Sequence, residues 1–135
     1  MAKIIQPEDL AKSGSESGHQ KAIFAWAALN RHEYPQLEWL HAIPNANSHH
    51  QVAEGVRAGV PDICLPFPVR QWHGFYCELK IDGRQGQARG GKSEAQDKWI
   101  EYLSSAGYYC VTAYGWENAV RAILEYLTGA STHDR

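Results

Sequence analysis

With 135 residues, 44% of them hydrophobic and 21% charged, the chain is long enough for one hydrophobic core and too short for two comfortable ones. No apolar run approaches the ~18 residues of a membrane span, and no signal-like apolar segment follows the N-terminal lysine, so a cytoplasmic protein is expected. The net charge of −2 is unfavourable for phosphate binding, yet residues 41–98 hold seven Lys and Arg against six Asp and Glu, and the remainder six against nine.

Residues 1–15 lack an apolar period and read as a flexible N-terminal arm with at most a short turn. From Glu16 to about Arg31 the pattern turns helical, with Ile23, Phe24 and Ala27 on one stripe. Ser15 or Ser17 can cap the start, and Ser17 with Gln20 fits a capping box. Glu38–Ile43 reads as a strand closed by Pro44 and Asn45. Residues 44–59 read as a long loop with a helical turn around Gln51–Arg57, and a loop of that length is often functional.

Val60–Pro66 is a second strand, with Pro61 tolerated at its beginning. His73–Ile81 is the clearest strand: Phe75, Cys77 and Leu79 point one way, Tyr76, Glu78 and Lys80 the other. A glycine-rich basic loop over 82–92 carries Arg84, Arg89 and Lys92. Ser93 opens a helix with Trp99, Ile100 and Leu103 on its apolar face, which Gly107 stops. Tyr108–Ala113 is a short strand, Trp116–Leu127 a final amphipathic helix, and 129–135 a fraying tail. One α/β domain over 16–128, a mixed sheet flanked by helices, accommodates this order.

The chemistry concentrates in three charged residues. Asp62 begins one strand, and Glu78 and Lys80 lie two apart on the next, so their side chains share a face. If the strands pair, Asp62 and Glu78 reach one divalent cation, with the Leu79 carbonyl adding an oxygen. Such a cation activates water and stabilises charge on a phosphoryl group. Lys80 then sits where a point charge can orient that water and counter the phosphate. Glu16 and Gln20 extend the core-facing stripe of the first helix toward this site, where Glu16 is a candidate outer-sphere or second-metal carboxylate. Gln96 shares a face with Trp99, Ile100 and Leu103, although Ser93-Glu94-Ala95-Gln96 also fits a capping box.

The run Gly59-Val60-Pro61-Asp62, then Glu78-Leu79-Lys80, then Ser93-Glu94-Ala95-Gln96-Asp97-Lys98-Trp99 resembles the VRR-NUC branch of the PD-(D/E)xK nuclease superfamily. Glu16-Ser17-Gly18-His19-Gln20 is similar to that family's first helix, and His41-Ala42-Ile43-Pro44-Asn45 to its next signature. The likeness spans roughly residues 16–127, and small stand-alone phage members consist of little else. It implies a restriction-endonuclease-like core and a Mg²⁺- or Mn²⁺-dependent DNA endonuclease of replication and repair. In it Asp62 and Glu78 bind metal, Lys80 serves the water, Glu16 assists and Gln96 supports. It also implies a homodimer suited to branched DNA such as four-way junctions. This chain departs from many members in being poorly basic over 46–60, where only Arg57 and the histidines His49 and His50 occur. DNA contacts are therefore expected from Arg57, Arg84, Arg89, Lys92 and Lys98, with His41 and Asn45 nearby.

Other readings have less behind them. His41, His49, His50 and Cys64 or Cys77 lack the paired spacing of a zinc site, and Cys64, Cys77 and Cys110 read as free thiols. No Gly-x-Ser-x-Gly elbow marks a triad hydrolase. Trp26, Trp99 and Trp116 occupy core-compatible helix positions, which leaves Trp72, His73 and Tyr76 for stacking. The alternative of another class is a catalytically inactive DNA-binding or structural protein that keeps the nuclease fold.

Overall fold

The computed structural model describes residues 4–81 and 91–130. Arg84, Arg89 and the side chain of Lys92, expected in a basic loop, lie outside the described residues, as do 131–135 of the expected tail. The elements in chain order are α1 (Pro7–Ala11), α2 (Glu16–Asn30), a 3-10 helix (Pro35–Trp39), β1 (His41–Ala42), α3 (His49–Ala53), β2 (Ile63–Leu65), β3 (Phe75–Lys80), α4 (Gly91–Ser105), β4 (Tyr109–Tyr114) and α5 (Trp116–Thr128).

Four strands form one mixed sheet in the order β1-β2-β3-β4. The β1–β2 and β2–β3 pairs are antiparallel. The β3–β4 pair is parallel, and α4 supplies the crossover such a pair requires. Strand periodicity sorts the side chains into two faces. Phe75, Cys77 and Leu79 of β3, with Ile63 and Leu65 of β2, pack into the main core with Ile23 and Ala27 of α2 and Ala119, Ile123 and Tyr126 of α5. The opposite face of β3 meets α4 through Glu78 and Lys80, which both bond Gln96. The molecule is thus an α/β fold, a mixed sheet with helices on both faces, as its residue pattern predicts.

Several boundaries differ from those predictions, each for a local reason. The strand expected over Glu38–Ile43 shrinks to His41–Ala42, because Pro35 sits at the first position of a 3-10 turn that runs to Trp39. Residues 7–11, expected in a loose arm, form α1 with Pro7 at its start, packed on α2. Ser15 caps α2, its hydroxyl accepting from the Gly18 N–H at 2.9 Å, so the Ser17 capping box is not used. Helix α4 starts at Gly91, ahead of Ser93, so the Ser93–Gln96 box is not its start either.

Two glycines position what surrounds the site. Gly107 follows α4 with φ of +98°, a left-handed turn that ends the helix and sends the chain into β4. Gly59, at φ +90°, lies so close to α4 that a Cβ there would fall 2.7 Å from the Ala95 carbonyl carbon. The loop before β2 therefore rests directly on α4. Asn45 holds the same loop from its other side, its Oδ1 accepting from the Gly59 N–H at 3.2 Å.

Candidate active site

Asp62 immediately precedes β2, where Pro61 offers no N–H to the ladder. Continuing the β2–β3 register one step beyond the Ile63–Cys77 pair sets Asp62 opposite Glu78. Two side chains opposite each other in an antiparallel pair lie on one face, about 5 Å apart at Cβ, and like charges there repel. The Asp62 carboxylate is anchored: its Oδ2 accepts from the Leu79 backbone N–H at 2.7 Å. Its carbonyl accepts from the Ile43 N–H at 2.7 Å, which ties it to the end of β1.

Glu78 is only 5% exposed. Its Oε2 accepts from Gln96 Nε2 at 3.0 Å and lies 3.7 Å from Lys80 Nζ. Its Oε1 is buried and receives no hydrogen bond. Burial pushes the Glu78 pKa from 4.5 up to about 8, the negative charge of Asp62 adds to this, and Lys80 opposes it. Glu16 raises it further, as does a carboxyl–carboxylate hydrogen bond to Asp62, which forms only when Glu78 carries the proton. An ionised carboxylate buried among carboxylates with a donorless oxygen is costly unless a cation joins it.

Gln96, 8% exposed on α4, closes the group from above. Its amide spans the pair: Nε2 donates to Glu78 while Oε1 accepts from Lys80 Nζ at 3.0 Å. A carboxylate only accepts and an ammonium only donates, so the amide has one orientation that satisfies both. Lys80 keeps its remaining donors free of that bond, on a side chain 28% exposed. Glu16 stands in the first turn of α2, near enough for its charge to act on Glu78. Asp62 just before β2, Glu78 and Lys80 of β3 and Gln96 of α4 thus meet, with Glu16 of α2 acting on Glu78 by its charge.

The donor set decides which cation suits the place. Two carboxylates on facing strands, with a backbone carbonyl such as that of Leu79, make a hard-oxygen set. Among the described residues no group of three or more His, Cys, Asp or Glu side chains gathers as a metal site. Mg²⁺ is commonly held by one or two carboxylates, with water and substrate phosphate completing its shell. Two facing carboxylates, one with a donorless buried oxygen, fit that requirement.

The expected DNA contacts are more dispersed. His41 and Ala42 are exposed in β1, and His41 Nδ1 is 3.0 Å from the Trp39 carbonyl. Asn45 has its side-chain oxygen on Gly59. Arg57 lies over the Trp99 ring, 5.5 Å from its centroid, and Lys98 is beside them. Trp99, placed in the core by periodicity, is only partly buried and lines this surface recess instead. Trp72, His73 and Tyr76, expected to be available for stacking, make edge contacts with Tyr109, Tyr108 and Tyr108 respectively.

One residue without a predicted role matters to the site's frame. His19 Nδ1 accepts from the Trp116 N–H at 3.0 Å and caps α5, whose preceding Gly115 has no side chain to do so. Gly115 N–H in turn donates to the Lys80 carbonyl at 2.8 Å. His19 lies three residues after Glu16, so one helical turn carries both, within the run Glu16-Ser17-Gly18-His19-Gln20.

No family model matches the sequence, and no similar curated protein is found. Among solved structures the chain is similar to a VRR_NUC domain protein at 24% identity, with 96% of this chain and 93% of that chain covered and a TM-score of 0.66. The likeness runs along nearly the whole of both chains and shows a shared α/β fold, a mixed sheet flanked by helices, consistent with a restriction-endonuclease-like architecture.

Proposed function

We propose that the protein is a Mg²⁺- or Mn²⁺-dependent endonuclease that hydrolyses phosphodiester bonds in DNA, with Asp62, Glu78 and Lys80 at its centre. The observation that carries this reading is the facing of Asp62 and Glu78 across β2 and β3, with Glu78 Oε1 buried and without a donor. Asp62, Glu78 and the Leu79 carbonyl would hold the metal, with Glu16 as an outer carboxylate. When bound, the metal lowers the pKa of water and neutralises charge developing on the phosphoryl oxygens.

The chain's own residues have distinct tasks. Asp62 is fixed by the Leu79 N–H, so its orientation is set before any ligand arrives. Glu78 would give up its proton to a bound cation, since burial first and the charge of Asp62 second hold its pKa up, and a cation would offset both. Lys80 places an ammonium beside Glu78, where it orients the attacking water and opposes phosphate charge. Gln96 holds Glu78 and Lys80 in register and is a positioning residue.

DNA fits the VRR_NUC-type fold and the cations around the site, Arg57 and Lys98 among the described residues. A homodimer, with two sites cutting two strands of a branched molecule such as a four-way junction, is part of the same proposal. So are a single domain over 16–128 and action in the cytoplasm, phage-encoded in a bacterial host. No helix among the described residues is long and apolar enough to cross a membrane.

The test is cleavage of linear, flapped, splayed and four-way DNA in Mg²⁺, Mn²⁺ and excess EDTA, beside Asp62→Asn and Glu78→Gln. Cleavage in metal alone, lost by ~10³-fold or more in both variants, is the expected result, since several kcal/mol of charge stabilisation disappears. Retained cleavage in both folded variants would refute the assignment. Solution mass at micromolar concentration tests the dimer, and a monomer there excludes paired cutting.

A further inference from the structure

Between α4 and the loop before β2 lies a shallow recess of about 340 Å³ lined by Arg57, Ala58, Ala95, Lys98, Trp99 and Tyr102. Its size falls at the lower end for small-ligand pockets, roughly 300–1,000 Å³. Its lining adjoins the site in the chain: Ala95 precedes Gln96, and Ala58 precedes the Gly59 that rests on Ala95.

Its lining has two chemistries. Tyr102 is 63% exposed, an aromatic ring left on the helix surface, and Trp99 is its partly buried neighbour one turn back. Arg57 and Lys98 supply positive charge, with the Arg57 guanidinium already over the indole. None of the six lining residues is acidic, although Glu94, Asp97 and Glu101 lie elsewhere on α4. Aromatic faces beside cations suit a ligand with a flat π-system and an attached anion, which a nucleotide is. A base within a duplex has both faces covered by its neighbours, so the ligand must be unpaired.

We propose that this recess binds an unpaired nucleotide of the DNA substrate, its base against Tyr102 and Trp99 and its phosphate on Arg57 and Lys98. The proposal rests on the endonuclease reading and narrows its substrate to DNA with a single-stranded element next to the cleaved bond. Arg57 then has a dual task, holding Trp99 in place by its face and meeting phosphate with its N–H edge.

The experiment uses the full chain in an Asp62→Asn background with Mg²⁺ present, so that binding is read without cleavage. Fluorescence anisotropy compares a labelled oligothymidylate with an abasic oligomer of equal phosphate number. A preference for the oligothymidylate of about tenfold is expected, within the ~1–3 kcal/mol that one stacked base contributes. Tyr102→Ala, at an exposed position, should remove that preference and leave abasic binding unchanged. Arg57→Gln and Lys98→Gln should weaken both oligomers and lower the dependence of log affinity on log salt by ~0.7 per charge removed. No preference in the parent protein, or a preference that Tyr102→Ala retains, would overturn the proposal. Cleavage of DNA by the wild-type chain alongside that result would fault the recess alone. A wild-type chain that neither cleaves nor binds any DNA would instead fault the endonuclease reading, and the recess with it.

Discussion

The two faces of β3 divide its six residues between opposite ends. Toward α2 and α5, Phe75, Cys77 and Leu79 are fully buried in an apolar core. Toward α4, Glu78 is almost as deeply buried, but its neighbours are a carboxylate, an ammonium and an amide. The first face gains stability from burial, while the second gives some up to hold charges together. A polar cluster that costs stability in the absence of a ligand is a mark of a site built for one.

The contrast breaks most visibly when both faces are mutated and both stability and cleavage are read. Phe75→Ala should cost roughly 3–5 kcal/mol in denaturant unfolding, the usual loss for a buried aromatic ring. Glu78→Gln should leave metal-free stability equal or higher at pH 8, because it removes a buried charge that lacks a cation. If Glu78→Gln instead destabilises the metal-free protein at pH 8 as strongly as Phe75→Ala, the two faces are alike and the carboxylates are structural.

Gln96 sharpens the same contrast at the level of one amide. Gln96→Leu keeps the volume and removes both bonds, so Glu78 and Lys80 lose their shared clamp. Cleavage should fall by roughly 10–100-fold, the usual effect of losing a residue that orients metal ligands. Gln96→Glu should be worse, since it faces Glu78 with a second negative charge, and a variant of equal activity would remove Gln96 from the site.

A smaller effect lies in pH. The folded Glu78 binds its proton up to about pH 8, whereas the unfolded chain releases it near 4.5. Folding therefore takes up a proton between those values, and the stabilisation this provides is lost as pH rises from about 4.5 through 8. Metal-free protein should therefore fall in Tm as pH rises over that range on account of this group. Glu78→Gln should flatten that component, and Mg²⁺ should raise Tm more at pH 8 than at pH 5. A Glu78→Gln profile that follows the wild type would show that Glu78 is not the group titrating.

Strand alternation made the two faces of β3 legible in the sequence, because period 2 is strict and Phe75, Cys77 and Leu79 are all apolar. Asp62, Glu78, Lys80, Glu16 and Gln96 could be named from their order and helix spacing. Their bonding could not, since it depends on the register that sets Asp62 against Glu78 and on the close approach of Gly59 to α4. Gln96 has two compatible readings in the sequence, cap and site, and the start of α4 at Gly91 with the bonds of Gln96 to Glu78 and Lys80 tells which it takes. Trp99 was harder: its spacing with Ile100 and Leu103 describes a core stripe, and Arg57, far away in the chain, makes it the wall of a recess. The strand expected over Glu38–Ile43 is shortened to His41–Ala42 because local proline geometry outweighs β propensity before it.

The bond from the Trp116 N–H to His19 joins residues 97 positions apart. It links the helix that carries Glu16 to the turn that follows β4, and that turn is itself held by the Lys80 carbonyl. A ribosome extending the chain makes α2 early and α5 last. The anchor between the helix that bears Glu16 and the turn after β4 is therefore made only after most of the chain has been synthesised.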